Sequence, residues 1–88
     1  MNNYRFNSEE ILITELGDEG VAFNSSTNEY LALNETSFKV LKGIERHLSI
    51  NEICTELTEI YTITRDDCEK EIQKLIELFI SKNLVIKE

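Results

Sequence analysis

The chain has 88 residues, enough for one domain with a modest core, and its hydrophobic content of 41% supports a packed globule. Seventeen acidic residues against nine basic ones give a net charge of −8, which disfavours nucleic acid and anionic lipid as partners. No apolar run is long enough to cross a bilayer and the N-terminus has no signal-peptide pattern, so we expect a cytoplasmic protein without a membrane partner.

The first ten residues are polar apart from two aromatic side chains, Tyr4 and Phe6. They predict a flexible N-terminal arm unless those rings dock on the remainder of the chain. Residues 11–88 show no linker or repeat, and they are predicted to form a single domain.

Three short apolar runs at 11–16, 21–24 and 29–33 have the composition of β-strands. Glycines at Gly17 and Gly20 mark a turn after the first run, and the polar stretch at 24–28 marks a second turn. These spacings predict a three-stranded antiparallel meander.

The hydrophobic period changes from 2 to 3.6 after Leu33, which predicts three helices in the second half of the chain. Asn34 is a favourable N-cap for the first helix, Ser49 begins a capping box for the second, and Thr64 caps the third. The third helix is predicted to end near Lys82–Asn83, before a short extended segment at 84–86. The predicted fold class is therefore α+β, with winged helix-turn-helix-like proportions.

The side chains that catalysis or metal binding would need are sparse. His47 is the only histidine, and the three glycines fall at turns and a helix end rather than in a phosphate-binding loop. We therefore expect no catalytic residues, no metal and no cofactor. Cys54 and Cys68 are interpreted as small, reduced, buried side chains, with a disulfide as the alternative.

The third strand of the predicted meander is an edge strand. Its segment Glu29–Leu33 has no proline or lysine to discourage pairing, although the charge of Glu29 disfavours pairing at one position. The helix that begins directly after it would hold this edge beside the helical layer, so the junction predicts a groove that could accept a guest strand. Period-two geometry places Leu31 and Leu33 on the core face and Tyr30 and Ala32 on the other face.

The third predicted helix has a broad apolar stripe. Ile72, Ile76 and Phe79 lie on one side, while Leu75 and Leu78 extend the stripe around the helix. The stripe is interpreted either as simple burial under two layers or as one wall of a partly open groove.

The order of the motifs resembles the PqqD-like family, the stand-alone form of the RiPP recognition element. The resemblance covers residues 11–86: Gly20-Val21-Ala22 in the first hairpin, the Tyr-x-x-Leu-Asn signature at 30–34, and the start of the second helix at 49–53. It also includes an acidic third helix followed by Asn83-Leu84-Val85.

This resemblance implies a non-catalytic domain that captures the leader of a ribosomally made precursor peptide as an added antiparallel strand. It implies delivery of that leader to a modifying enzyme, either a radical-SAM enzyme or a leader protease with its cyclase, as in lasso peptide pathways. The acidity of the chain indicates a basic leader. The peptide-binding positions that the resemblance implies are Glu29, Tyr30, Leu31, Ala32 and Leu33 on the strand, and Cys68, Glu71, Ile72, Leu75 and Leu78 on the helix.

Two other interpretations remain open at the level of sequence. The first is a winged-helix regulator that binds DNA, although residues 64–83 carry four basic and five acidic side chains, which is unfavourable for a recognition helix. The second is a structural dimerisation module in which the 29–33 edge pairs with its own copy in a homodimer.

Overall fold

The computed structural model describes residues 4–88, so the first three residues of the predicted arm lie outside it. Its elements follow one another with short connections. In chain order they are β1 (Tyr4–Phe6), β2 (Ile11–Leu16), β3 (Glu19–Asn24), β4 (Glu29–Leu33), α1 (Glu35–Glu45), α2 (Ile50–Ile60), α3 (Arg65–Ser81) and β5 (Val85–Lys87).

The strands β2, β3 and β4 form an antiparallel meander in that order, which confirms the predicted α+β fold with three helices after the sheet. The two-residue turn between β2 and β3 has Gly17 at a φ of 68°, a conformation that glycine adopts without steric cost. Asn28, with a φ of 64°, ends the second turn. Local turn chemistry therefore sets the register of the whole sheet.

The three helices begin at the caps that the sequence predicted. The side chain of Asn34 accepts a hydrogen bond from the amide of Ser37 at 2.9 Å, and Ser49 forms a complete capping box with Glu52. Thr64 accepts from the amide of Asp67 at 3.2 Å. Because Asn34 follows Leu33 directly, β4 passes into α1 without a loop.

The buried core lies between the inner face of the sheet and the three helices. Its most completely buried large side chains come from α1, α3 and the C-terminal segment: Phe79, Leu41, Ile72, Ile76 and Leu84. Cys54 and Cys68 are both buried free thiols, as expected from the sequence. Burial raises the pKa of Cys54 to about 11, and the neighbouring Cys68 adds to the effect, so this thiol stays protonated.

Part of the expected N-terminal arm forms a strand. Residues Tyr4–Phe6 pair in antiparallel fashion with β5, and the side chain of Phe6 is buried. The side-chain amide of Asn7 donates to the backbone carbonyl of Asn83 at 2.9 Å, which fixes the chain after β1. The aromatic rings were the one signal in the sequence that this segment could dock.

Gly20 on β3 leaves room for the ring of Phe38 on α1. A Cβ atom at position 20 would lie 2.6 Å from Cδ1 of Phe38 and 3.0 Å from the carbonyl oxygen of Thr14. The absence of a side chain therefore sets how closely α1 approaches the sheet.

We predict that Gly20→Ala lowers the free energy of unfolding by about 1–3 kcal/mol, because the added methyl group overpacks this contact. Urea unfolding of the single variants and of the double variant Gly20→Ala, Phe38→Leu measures the coupling. The smaller side chain at position 38 should relieve part of the loss. Strictly additive effects would show that the contact with Phe38 is not the constraint.

Candidate functional site: an open strand edge beside a helix groove

The strand β4 is hydrogen-bonded on one side only. It pairs with β3, and no other strand within residues 4–88 pairs with its outer edge. The two terminal strands, which could have covered this edge, pair with each other instead. An extended backbone can therefore reach β4 without displacing a strand of the domain.

The turn between β2 and β3 determines where the backbone groups of β3 point. In a two-residue hairpin the residues that close the turn, here Leu16 and Glu19, exchange both backbone hydrogen bonds. Hydrogen-bonded and non-hydrogen-bonded pairs alternate along antiparallel strands, and the register is continuous. The N–H and C=O groups of Gly20 and Ala22 are therefore directed to β4.

The same alternation decides which backbone groups of β4 face outward. Leu33 pairs with Gly20 and Leu31 pairs with Ala22, so the amides of Leu31 and Leu33 are already used inside the sheet. The N–H and C=O groups of Tyr30 and Ala32 point away from β3. These four groups are the hydrogen-bonding positions that a guest strand would meet.

An apolar groove of about 460 Å³ lies between β4, the β2–β3 hairpin and α3. Three successive residues of β4, Leu31 to Leu33, line it, whereas β2 contributes only Leu16. From α3, the side chains of Leu75 and Leu78 reach it, and Leu78 is 40% exposed. The groove therefore belongs to the β4 edge rather than to the β2 edge.

A second cavity of about 460 Å³ continues along α3 and shares Asn34 and Leu75 with the first. Its walls are mixed, because apolar side chains of α2 and the following turn face charged side chains of α3. The residues that line this cavity but not the first are Thr36, Leu57, Tyr61, Ile63, Asp67, Cys68, Lys70, Glu71 and Lys74. A ligand that extends beyond β4 would meet both apolar and charged groups here.

One polar contact joins α1 to the end of α2 beside the second cavity. The hydroxyl group of Tyr61, at the end of α2, donates a hydrogen bond to the carboxylate of Glu35 at the start of α1. This hydrogen bond raises the pKa of Tyr61 above its ordinary value. The contact joins residues 26 positions apart in sequence and links the end of α2 to the start of α1.

The structure distributes the ten sequence-predicted positions over four places. Leu31, Ala32, Leu33, Leu75 and Leu78 line the first groove, and Cys68, Glu71 and Leu75 line the second cavity. Glu29 and Tyr30 lie on β4 outside both, with Tyr30 73% exposed on the outer face of the sheet. Ile72 is fully buried in the core, so a peptide could contact it only if the core opened.

Several residues that line the two cavities were missed by the sequence analysis. Leu16, Glu19 and Val21 reach the first groove from the hairpin, and Tyr61 and Ile63 reach the second from the turn after α2. Each of them is distant in sequence from the Tyr30–Asn34 signature. Only the packed fold brings them to the groove.

Among residues 4–88, no cluster of three or more metal-ligating side chains is present. No helix within the same range has the length and hydrophobicity that a membrane span requires.

Together, the fold and the site define a winged helix-turn-helix-like α+β domain with an unpaired strand edge beside a helix groove. Residues 19–85 match the family model described as Coenzyme PQQ synthesis protein D (PqqD). The chain therefore belongs to the PqqD family, which confirms the resemblance seen in the sequence.

Two solved structures have the same fold. One is described as TbiB1 in complex with the TbiA(beta) leader peptide; it is 17% identical, covers 92% of this chain and 93% of its own, and has a TM-score of 0.86. The other is described as lasso peptide synthetase B1 complexed with the leader peptide; it is 21% identical, covers 96% of this chain and 98% of its own, and has a TM-score of 0.85. No curated protein matches the sequence.

Ile72 and Leu78 of α3, which the resemblance places together in the peptide site, should differ in the stability that is lost when each is truncated to alanine. Ile72→Ala is expected to cost about 2–5 kcal/mol of stability because it leaves a cavity in the core. Leu78→Ala, at a position 40% exposed, should cost about 1 kcal/mol or less. Urea unfolding followed by circular dichroism measures both, and equal losses would contradict this placement of α3.

Proposed function

We propose that this protein binds the leader segment of a ribosomally made precursor peptide as an additional antiparallel strand on β4. The observation that carries the proposal is the unpaired edge of β4, which lies beside an apolar groove lined by Leu75 and Leu78 of α3. In strand addition, main-chain hydrogen bonds supply affinity and side-chain pockets supply selection. The described geometry offers both.

The two structural relatives support this proposal. Both are described as complexes with a leader peptide, and their fold overlaps more than nine tenths of this chain. At 17% and 21% identity, what they share with this chain is the fold. The case for binding at β4 therefore depends on this chain's own edge and groove.

The expected affinity follows from the groups that a leader would meet. Four outward backbone groups contribute about 0.5–1.5 kcal/mol each as net hydrogen bonds. Each large apolar side chain buried in the groove adds about 1.5–3 kcal/mol. Association itself costs free energy, which these contributions must first offset. A micromolar complex, at roughly −8 kcal/mol, therefore requires groove contacts in addition to strand pairing. Strand pairing therefore supplies a sequence-tolerant part of the affinity, and the groove selects the leader.

The charge distribution indicates a basic leader. Residues 6–38, which include β2, β3 and β4, contain seven acidic residues and no lysine, arginine or histidine. This field attracts a cationic peptide and raises its association rate. The same field opposes DNA, and α3 itself has acidic residues in its first turn, so nothing in the structure favours the DNA-binding alternative.

In this proposal the protein is a non-catalytic partner. It positions the precursor, and the covalent chemistry belongs to a modifying enzyme, either a radical-SAM enzyme or a leader protease with its cyclase. Binding the leader at a site remote from the reacting segment leaves that segment free to enter the enzyme. A higher effective concentration of the precursor at the enzyme is the benefit.

A pair of proline variants tests the edge. Ala32→Pro removes an outward N–H group without breaking the pairing with β3, so the fold should tolerate it. It should weaken binding of a synthetic leader, taken from the precursor gene beside this one, by about tenfold or more, the equivalent of about 1.4 kcal/mol. Isothermal titration calorimetry measures the change.

The matched control is Glu15→Pro on β2, whose N–H group points outward from the opposite edge by the same alternation. This variant should bind the leader as the wild type does. Weaker binding by Glu15→Pro together with unchanged binding by Ala32→Pro would move the site to β2. Circular dichroism of both variants confirms that each is folded.

A further inference from the structure

The outer face of the sheet, opposite the helices, carries a continuous row of apolar side chains. The register places Leu12 beside Phe23 and Phe23 beside Tyr30, so the row crosses all three strands. The rings of Phe23 and Tyr30 lie 4.7 Å apart. Leu12 is 62% exposed and Tyr30 is 73% exposed, so no described element covers the row.

The apolar character extends towards the β2–β3 turn. Val21 lies in the next row, between Thr14 and Ala32, and Leu16 at the end of β2 is 60% exposed. The inner face of the same strands is closed by the helices, where Ala22 and Leu33 are buried. We call Leu12, Leu16, Val21, Phe23 and Tyr30 the outer sheet face.

This surface has acidic residues at the end nearest the β2–β3 turn. Asp18 and Glu19 lie at the β2–β3 turn, with Glu19 on the same face of β3 as Val21 and Phe23, while the nearest basic residues in sequence are Arg5 and Lys39. Contiguous exposed apolar side chains with a polar rim are typical of protein–protein interfaces. The rim selects a partner of opposite charge.

We propose that the outer sheet face docks a partner protein through an apolar patch rimmed by lysine and arginine. A second copy of this chain fits poorly, because it would bring two acidic rims together. Nucleic acid and anionic lipid are opposed by the same charge. A protein whose apolar patch is rimmed by lysine and arginine complements both the apolar row and the acidic residues beside it.

The position of this face relative to β4 indicates which protein docks. Tyr30 places its side chain on the outer sheet face, while its backbone groups lie on the open edge. A protein bound to the face would therefore lie directly beside a strand added to β4. This step rests on the proposed function, and it assigns the face to the enzyme that modifies the bound precursor.

The test uses the double variant Leu12→Asn, Phe23→Thr, which changes two side chains of the outer sheet face that line neither cavity. The probes are the purified modifying enzymes encoded beside this gene and, separately, the synthetic leader. We expect the double variant to bind its enzyme at least tenfold more weakly in surface plasmon resonance, with leader affinity unchanged. Wild-type binding to the enzyme should weaken as salt is raised, because screening reduces the attraction between the rims.

The control is Ile60→Asn, an equally exposed apolar residue, 58% accessible, on α2. It should leave enzyme binding unchanged. Enzyme binding that is absent in the wild type, or equal in the double variant and the wild type, would overturn the proposal. So would a wild-type dimer that the double variant dissociates in sedimentation, because the occupant would then be a second copy. The two proposals can fail separately. If the wild type does not bind the leader, but the double variant still binds the enzyme more weakly than the wild type does, the docking surface is supported and the leader site is contradicted.

Discussion

The proposed leader binding depends on β4 being held rigidly while one of its edges stays unpaired. An isolated strand would not keep its extended form, but β4 is fixed on one side by β3 and at its end by the cap of α1 at Asn34. The strand enters the helix without a loop, so its outer backbone groups keep one orientation relative to α3. Preorganisation of this kind reduces the ordering cost that a bound peptide would otherwise meet.

Other parts of the fold keep that edge available and define its surroundings. The N- and C-terminal strands pair with each other, which satisfies their own backbone groups without using β4. The helix α3 lies along the edge and supplies Leu75 and Leu78 as an apolar wall. Residues 6–38 have seven acidic side chains and no basic one, whereas eight of the nine basic residues lie in 39–88 beside ten acidic ones, so the net negative charge is largest around the sheet.

Features governed by neighbouring residues could be predicted from the sequence. The caps at Asn34, Ser49 and Thr64 and the turn at Gly17 depend on side chains within a few positions, and the structure confirms them. Pairing between β1 and β5 could not be predicted, because two three-residue strands lie at opposite ends of the chain. Periodicity placed Ile72 in the apolar stripe of α3 and Leu78 further round the helix, but the resemblance assigned both to the peptide site. The complete burial of Ile72 depends on what packs against it, which the sequence does not show.

Amide hydrogen exchange, with and without a leader peptide, tests the central claim most directly. In the free protein the amides of Leu31 and Leu33 should be protected by their bonds to β3, and those of Tyr30 and Ala32 should exchange rapidly. Saturating leader should slow exchange at Tyr30 and Ala32 by about tenfold or more, the effect expected when a hydrogen bond worth about 1.4 kcal/mol must open. Unchanged exchange at these two amides with the leader bound, or new protection on β2 instead, would contradict strand addition at β4.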